Sequence, residues 1–302
     1  MGRFLKKRFG GPVYKIGVDA GFSCPHQGEL RQQGGCIICS AHGSRSPLIG
    51  RADDLSSQIS RNAAYWRQRY PQAKLMLYFQ AYTNTMAPPE VLRGIYAQGL
   101  GCEEFCALVV GTRPDCLPPP VIEVIKSFRQ PGREVWVELG LQSAHDATLK
   151  RINRGHGTAE YQDAAVRLAE QGIPVVPHLI FGLPGEGDAE REYSINWIIN
   201  NTPSLLGVKI HNLVLIPGTV MHDQWLAGKL QTYSMQEHLE AVIAALEILP
   251  PDSAVMRLTA DVQADAGADP RFSELWPTTV FTGRLQQKMR ELATWQGRRR
   301  NL

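Results

Sequence analysis

Three cysteines fall in one glycine-rich loop, in the pattern Cys24-x11-Cys36-x2-Cys39. A C-x2-C pair can turn both thiolates toward one metal, and a long loop can bring in a third. Gly34 and Gly35 stand directly before Cys36, where the lack of a Cβ lets backbone approach a bound group closely. Thiolates suit iron–sulfur clusters or zinc. A fully ligated cluster ordinarily takes four cysteines, so three would leave one iron open to a cofactor or substrate. Zinc instead closes its structural sites with four protein ligands, and His42 or His26 could supply the fourth. The residues alone leave both readings open, and with them that of a loop holding no metal. Cys102 and Cys106 have no third cysteine nearby and read as packing thiols.

Such a loop needs a scaffold, and the chain predicts one. Short apolar runs at 13–18, 75–79, 107–111, 135–139, 175–180 and 207–216 read as strands, and helices are predicted over 51–70, 90–98, 118–128, 161–171 and 188–200. Near-continuous apolar strands alternating with helices mark a parallel sheet covered by helices. No GxGxxG loop follows the first strand, which favours a partial (β/α)6 TIM-like barrel over a dinucleotide fold. In such barrels the chemistry sits at the C-terminal strand ends. Polar or glycine-rich segments recur there: the cysteine loop 21–50, then 80–85, 112–116, 140–143, 182–186 and 217–219. Residues 1–230 are expected to form this core. Residues 231–302, with helices predicted over 235–249 and 283–296 around a loop-rich stretch, are expected to be a C-terminal extension of the same domain.

Composition is permissive. Net charge is +3, so neither sign dictates a partner. Lys6, Lys7 and Arg8 at one end and Arg298, Arg299 and Arg300 at the other read as solvated tails. No apolar stretch approaches the ~20 residues that span a bilayer, and the basic first residues lack the apolar core of a signal peptide. A soluble cytoplasmic protein without a membrane partner is the expectation, and six cysteines are too few for a disulfide scaffold. Trp66, Trp225, Trp276 and Trp295 do not cluster as a nucleic-acid motif would.

With these segments in view, the chain resembles the radical S-adenosylmethionine (SAM) superfamily. More narrowly it resembles the YhcC/YtqA-type group, related to the catalytic subunit of Elongator and more distantly to oxygen-independent coproporphyrinogen oxidase. The matching motifs are VDAGFSCP, GGCIIC, YFQAYTNT, GTRPDC, EVWVELGLQSAHDATLKRINRGH, HLIFGLPGE and VKIHNLVLIPGT, in order across residues 18 to 219. One position departs from the pattern: the residue before the last cysteine is usually aromatic, and here it is Ile38. The resemblance implies a [4Fe–4S] cluster on Cys24, Cys36 and Cys39, with SAM on the open iron. An electron donor such as flavodoxin or ferredoxin would drive cleavage to a 5′-deoxyadenosyl radical. A tRNA base, through wobble uridine modification, is one implied substrate; a small or porphyrin-like molecule is another. A non-redox zinc protein that binds RNA is the rival reading.

The resemblance also assigns rim residues. Glu138, read as the end of strand four, would accept from the SAM amine or ribose, and Gln142 and Ser143 would face the ribose. Arg154 would pair with the SAM carboxylate through its guanidinium. The backbone from Ile180 to Leu183, with Gly182 in it, would stack on adenine, and Gly218 would bring a turn against SAM. Tyr82, Asn84, Arg113 and Asp115 would face substrate or cofactor, or else brace their loops. Cys116 is a candidate hydrogen-atom donor, with packing as the plainer reading. His178, Lys209 and His211 alternate along strands, so each can point into the barrel or serve the core.

Overall fold

The computed structural model describes residues 1–27, 35–39, 54–80, 82–260 and 277–300. Seven parallel strands form one sheet in sequence order: β1 (Val13–Val18), β2 (Lys74–Phe79), β3 (Phe105–Thr112), β4 (Glu134–Gln142), β5 (Val175–Phe181), β6 (Gly207–Asn212) and β7 (Ala254–Arg257). The connecting helices include α2 (Leu55–Arg69), α3 (Pro89–Gly101), α4 (Pro119–Ser127), α5 (Asp146–Arg151), α6 (Thr158–Glu170), α7 (Asp188–Asn201), α8 (Val220–Leu226) and α9 (Met235–Ile248). Their starts follow local chemistry. Asp54 accepts from the Ser57 amide at 2.9 Å and caps α2, while Ser234 and Glu237 exchange bonds in a capping box that opens α9. Prolines occupy the first turns of α3 and α4, where no amide bond is lost.

Alternation along the strands sorts their side chains into two sets. Residues such as Ile16, Leu77, Val110, Val137 and Ile210 point outward into the core shared with the helices. Val13, Met76, Val109, Trp136 and Val176 face the other way and form a smaller interior set. Contacts on that inner face join strands far apart in the sheet. The ammonium of Lys15 on β1 lies 2.5 Å from Glu138 on β4, and Lys209 on β6 donates to the Tyr78 hydroxyl on β2 at 3.0 Å. The sheet therefore curls around its own inner face, yet among the described residues β1 and β7 remain unpaired edges. The fold is an open half-barrel.

A further helix, α1 (Gly2–Phe9), closes the end where the strands begin. Leu5 is buried in the interior set, and Arg8 donates to Glu134, the first residue of β4, at 2.8 Å. Lys74, the first residue of β2, donates to the Phe9 carbonyl. The basic residues 6–8 are thus the outer face of a packed helix, not a solvated tail. At the other end Arg299 forms a paired bridge to Glu192 on α7. The last helix, α10 (Thr278–Glu291), starts earlier than the expected 283, and its Phe281 and Leu285 enter the same core as the barrel helices.

The sixth strand stops at Asn212, short of the expected 216, and β7 adds a seventh strand within the stretch read as loop. The seam between β6 and β7 is tight. A Cβ on Gly207 would stand 2.1 Å from the Ala254 carbonyl oxygen, so only glycine fits. Gly207→Ala is expected to cost about 1–3 kcal/mol, as overpacking does. Urea unfolding would read this as a lower midpoint at unchanged slope.

Candidate functional site

The loops after β1 to β6 meet at the C-terminal rim, and residues 35–39 are strapped there from two sides. The Ile37 amide donates to the Ile152 carbonyl at 3.1 Å, Asn153 Nδ2 donates to the Gly35 carbonyl at 2.7 Å, and the Met221 amide donates to the Ile37 carbonyl at 3.3 Å. The cysteine segment therefore hangs between the end of α5 and the start of α8. Asn153 adopts a left-handed φ of 51°, a conformation that asparagine tolerates better than most residues. Ile38 is half-buried and packs against the main core, so an aliphatic side chain covers the place where the resemblance implies an aromatic one.

Cys36 is buried, Cys24 half-buried and Cys39 exposed. A hydrogen bond from Cys39 draws the Cys36 thiol down to about 6, against its burial and with help from the Arg154 cation. The pair thus presents a thiolate near neutral pH, the form that binds metal. Cys24 lies close enough to Cys39, Arg113 and Cys116 for its charge to bear on all three. Among the described residues, no three Cys, His, Asp or Glu side chains stand gathered closely enough to hold a metal ion. Loop residues 28–34 and 40–50, including His42, lie outside the described residues. His26, the other candidate fourth zinc ligand, donates from Nε2 to the Arg154 carbonyl at 2.7 Å, and its Nδ1 has no partner among the described residues.

Arg154 is the hub of the rim. Its Nη2 donates to the Gly140 carbonyl at 3.0 Å, and its Nε donates to His156 Nε2 at 3.0 Å. To accept that bond His156 must be neutral, and burial together with Arg154 and Arg113 lowers it to about 3. A Cβ on Gly140 would lie 2.8 Å from Arg154 Nη2 and 2.9 Å from Gln142 Nε2, so this glycine makes room for both side chains. The β4–β5 register shifts between Gly140 and Gln142, and Gln142 takes a φ of 80°. Such an irregularity re-aims a side chain at a strand end; here it aims Gln142 at Arg154. Ser143 is committed elsewhere, donating to Glu186 of the β5 loop.

The β2 and β3 loops complete the wall. The Thr83 amide donates to the Ser23 carbonyl at 3.1 Å, next to Cys24. Asn84 donates from Nδ2 to the Gly111 carbonyl at 2.8 Å, while its fully buried Oδ1 has no partner among the described residues. Tyr82 is half-buried with a φ of 58°. Arg113 grips Asp115 through two bonds of 2.8 and 2.9 Å, yet its buried Nη1 is unpaired among the described residues. Cys116 is a thiol raised to about 11 by burial and by Asp115. Gly182 has a φ of 87° with Tyr233 against its α-carbon, the half-buried Ile180 lies just before it, and Gly218 turns at 79° into the open beside the Thr219 cap of α8.

Glu138 lies elsewhere. The strand runs on to Gln142, which leaves Glu138 in mid-strand on the inner face, beneath the rim. Lys15 holds one of its oxygens, and Lys209 and His178 hold the other. Burial opposes its ionisation, but the two lysines and His178 outweigh it and keep the carboxyl well below the usual range. Lys15 and His156 were not singled out in the sequence. A lysine inside an otherwise apolar strand, and the Arg-Gly-His run, were the available signals.

The chain is similar to known proteins over most of its length. "Radical SAM superfamily" matches residues 34–198, and "Radical_SAM C-terminal domain" matches residues 205–290. The chain is 35% identical to "Protein YhcC" of Escherichia coli (strain K12), over 93% of this chain and 88% of that protein. It is 29% identical to a "tRNA uridine(34) acetyltransferase" of Methanocaldococcus infernus, over 54% of this chain and 30% of the other. Among solved structures it resembles the archaeal Methanocaldococcus infernus Elp3, with a TM-score of 0.67 at 20% identity, covering 94% of this chain and 64% of that one.

Replacing the strap's anchor tests how the segment is held. Asn153→Ala removes the bond to Gly35 and places alanine at a left-handed φ, at a cost of about 1–2 kcal/mol. Amide hydrogen exchange in residues 35–39 is expected to quicken while global stability falls only slightly. Unchanged exchange would mean that Asn153 is not the anchor.

Proposed function

The chain belongs to the radical SAM superfamily, and from that premise we propose that it holds a [4Fe–4S] cluster on Cys24, Cys36 and Cys39, binds SAM beside it, and abstracts hydrogen from a substrate. One observation carries this reading: the strap that holds Cys36 ends on the segment that aims Arg154 over Gly140. Thiolate site and guanidinium are thereby fixed to each other through a few backbone bonds.

The residues present suit both groups. Cys36 and Cys39 share a thiolate, and Arg113 Nη1, Thr83 Oγ1 and Asn84 Oδ1 are buried polar atoms at the same rim with no partner among the described residues. Buried polar atoms left unpaired are costly, and a polar ligand relieves them. Metal binding can itself gather ligands that stand apart without it. When bound, the cluster supplies one electron that splits SAM into methionine and a 5′-deoxyadenosyl radical, which takes a hydrogen atom from substrate. Arg154, kept in place by neutral His156 and the Gly140 carbonyl, would grip the SAM carboxylate. Gln142 would reach the ribose or amino group from its re-aimed position. Gly182 and Gly218 would let backbone close on the adenosine, with Ile38 and the main core excluding water. Ser143, joined to Glu186, would fix the spacing of the β4 and β5 loops. Cys116, a protonated thiol near Cys24, has a hydrogen atom to give. Glu138 would act from below as an organiser of the inner face.

A reductant such as flavodoxin or ferredoxin would complete the cycle. The similarity to a tRNA uridine(34) acetyltransferase supports a tRNA base as one substrate, with a small molecule as the other reading.

Anaerobic reconstitution with iron and sulfide, followed by SAM and dithionite, tests the class. A brown protein that releases 5′-deoxyadenosine is expected, and Cys36→Ala is expected to lose most of its iron together with that activity. A colourless protein that takes up one zinc and leaves SAM intact would overturn the reading. Arg154→Ala is expected to keep its iron and weaken SAM binding about tenfold or more, the worth of a charge-assisted bond. Equilibrium binding of SAM measures this directly, and loss of iron instead would mark Arg154 as structural.

A further inference from the structure

Beneath the rim, the inner face carries a group of charges that SAM binding does not use. Lys15 on β1 and Lys209 on β6 both bond to Glu138 on β4, and His178 on β5 donates to it at 3.1 Å. The Tyr78 ring on β2 lies 4.9 Å from the Lys15 ammonium and 4.5 Å from that of Lys209. His211 on β6 stands 5.7 Å from His178, and its buried Nε2 has no partner among the described residues. Arg257 on β7 is near enough to bear on Lys209, His211 and Tyr78. Two ammonium groups thus share one carboxylate inside the barrel.

The Glu138 side chain has 0% of its surface exposed and Lys209 6%, whereas Lys15 has 14% and His178 19%. The carboxylate is thus sealed, while part of the Lys15 and His178 side chains is left open. Each ammonium carries three donors. Lys209 spends two on Glu138 and Tyr78, and Lys15 spends one on Glu138. Further along, the inner positions of β1 and β3 are Gly17 and Gly111, with the Gln80 amide lying over Gly17 and the Tyr78 hydroxyl beside Gly111.

We propose that this inner cluster is an oxyanion-binding floor, and that the substrate carries a carboxylate or phosphate group that seats on Lys15 and Lys209 below the SAM rim. The inference rests on the enzyme class proposed above and narrows its substrate to an anionic molecule. Among the described residues two ammonium groups face one carboxylate there; such a buried surplus of positive charge is costly, and an incoming oxyanion removes it. Burial, aided by the nearby cations Lys15 and Arg257 and only partly offset by the shared Glu138, brings Lys209 to about 7. A bound anion favours the protonated lysine and raises that value. Binding must then take up a proton, and affinity must fall as pH rises through about 7.

Calorimetry on the reconstituted protein tests this with sulfate and acetate, neither of which titrates between about pH 6 and 8. Titrations in two buffers of different ionisation heat count the protons. Saturable binding is expected, with proton uptake and an affinity that falls across that range. Lys15→Met is expected to weaken it at least about tenfold, and Lys15→Arg to restore most of the loss. Tighter sulfate binding would point to a phosphate-bearing substrate, and tighter acetate binding to a carboxylate-bearing one. Absence of saturable binding, or binding indifferent to both pH and Lys15→Met, overturns the proposal. Should Lys15→Met fail to fold, the pH dependence and proton count of the unmodified protein decide alone. Release of 5′-deoxyadenosine is measured in parallel. Release without anion binding sinks only the floor; anion binding without release sinks the enzyme class and leaves an anion site.

Discussion

A carboxylate with no exposed surface must find its partners inside the protein, and Glu138 finds them on three other strands. Lys15, His178 and Lys209 reach it from β1, β5 and β6. Flat sheets cannot bring β1 to β4 across two intervening strands, so the ionic group and the curl of the sheet require each other. Breaking such a buried group by removing one member is strongly destabilising, because it strands a charge. The apolar residues below it, with α1 beneath them, close the lower end.

The rim obeys a second constraint, a tether between loops. Cys36 does not sit on a strand end; its segment is held by backbone bonds to α5 and α8. Those elements follow β4 and β6, so the cysteine segment spans the mouth over β5. Arg154 comes from the same link that anchors the strap, and neutral His156 keeps it from swinging away. Three of the four positive-φ non-glycine residues among the described residues fall here too, at Tyr82, Gln142 and Asn153. Strain of this kind persists where surrounding structure over-determines it, as at binding sites.

Much of this was legible in the sequence. The outward strand residues are apolar because helices cover them, and that pattern revealed the alternating elements and the open-barrel class. Polar and glycine motifs at the strand ends marked the rim. Other features hid for identifiable reasons. Basic residues 6–8 masked the apolar face of α1, whose Leu5 packs only once the barrel exists to receive it. β7 has only four residues, with alternation too short to read. Glu138 was taken for a strand end because the apolar run breaks after Leu139; the irregular register that carries β4 on to Gln142 leaves no trace in composition. Lys15 went unmarked within an apolar strand, since its partner lies on a strand that only the curl brings near. Pairings across the interior are properties of curvature, and curvature is not written locally.

The strap has an evolutionary corollary. Ile152 and Asn153 hold the cysteine segment while the next residue, Arg154, lies over Gly140. An insertion or deletion between Gly140 and Ile152 would displace the guanidinium and the cysteine segment together, and no compensating change at one of them could repair the other. Length in this interval is therefore under tighter selection than the chemistry of most residues within it. Descendants of this fold are free to lengthen their outer helices and trade surface charges. They are not free to change the number of residues that link the fourth strand to the strap.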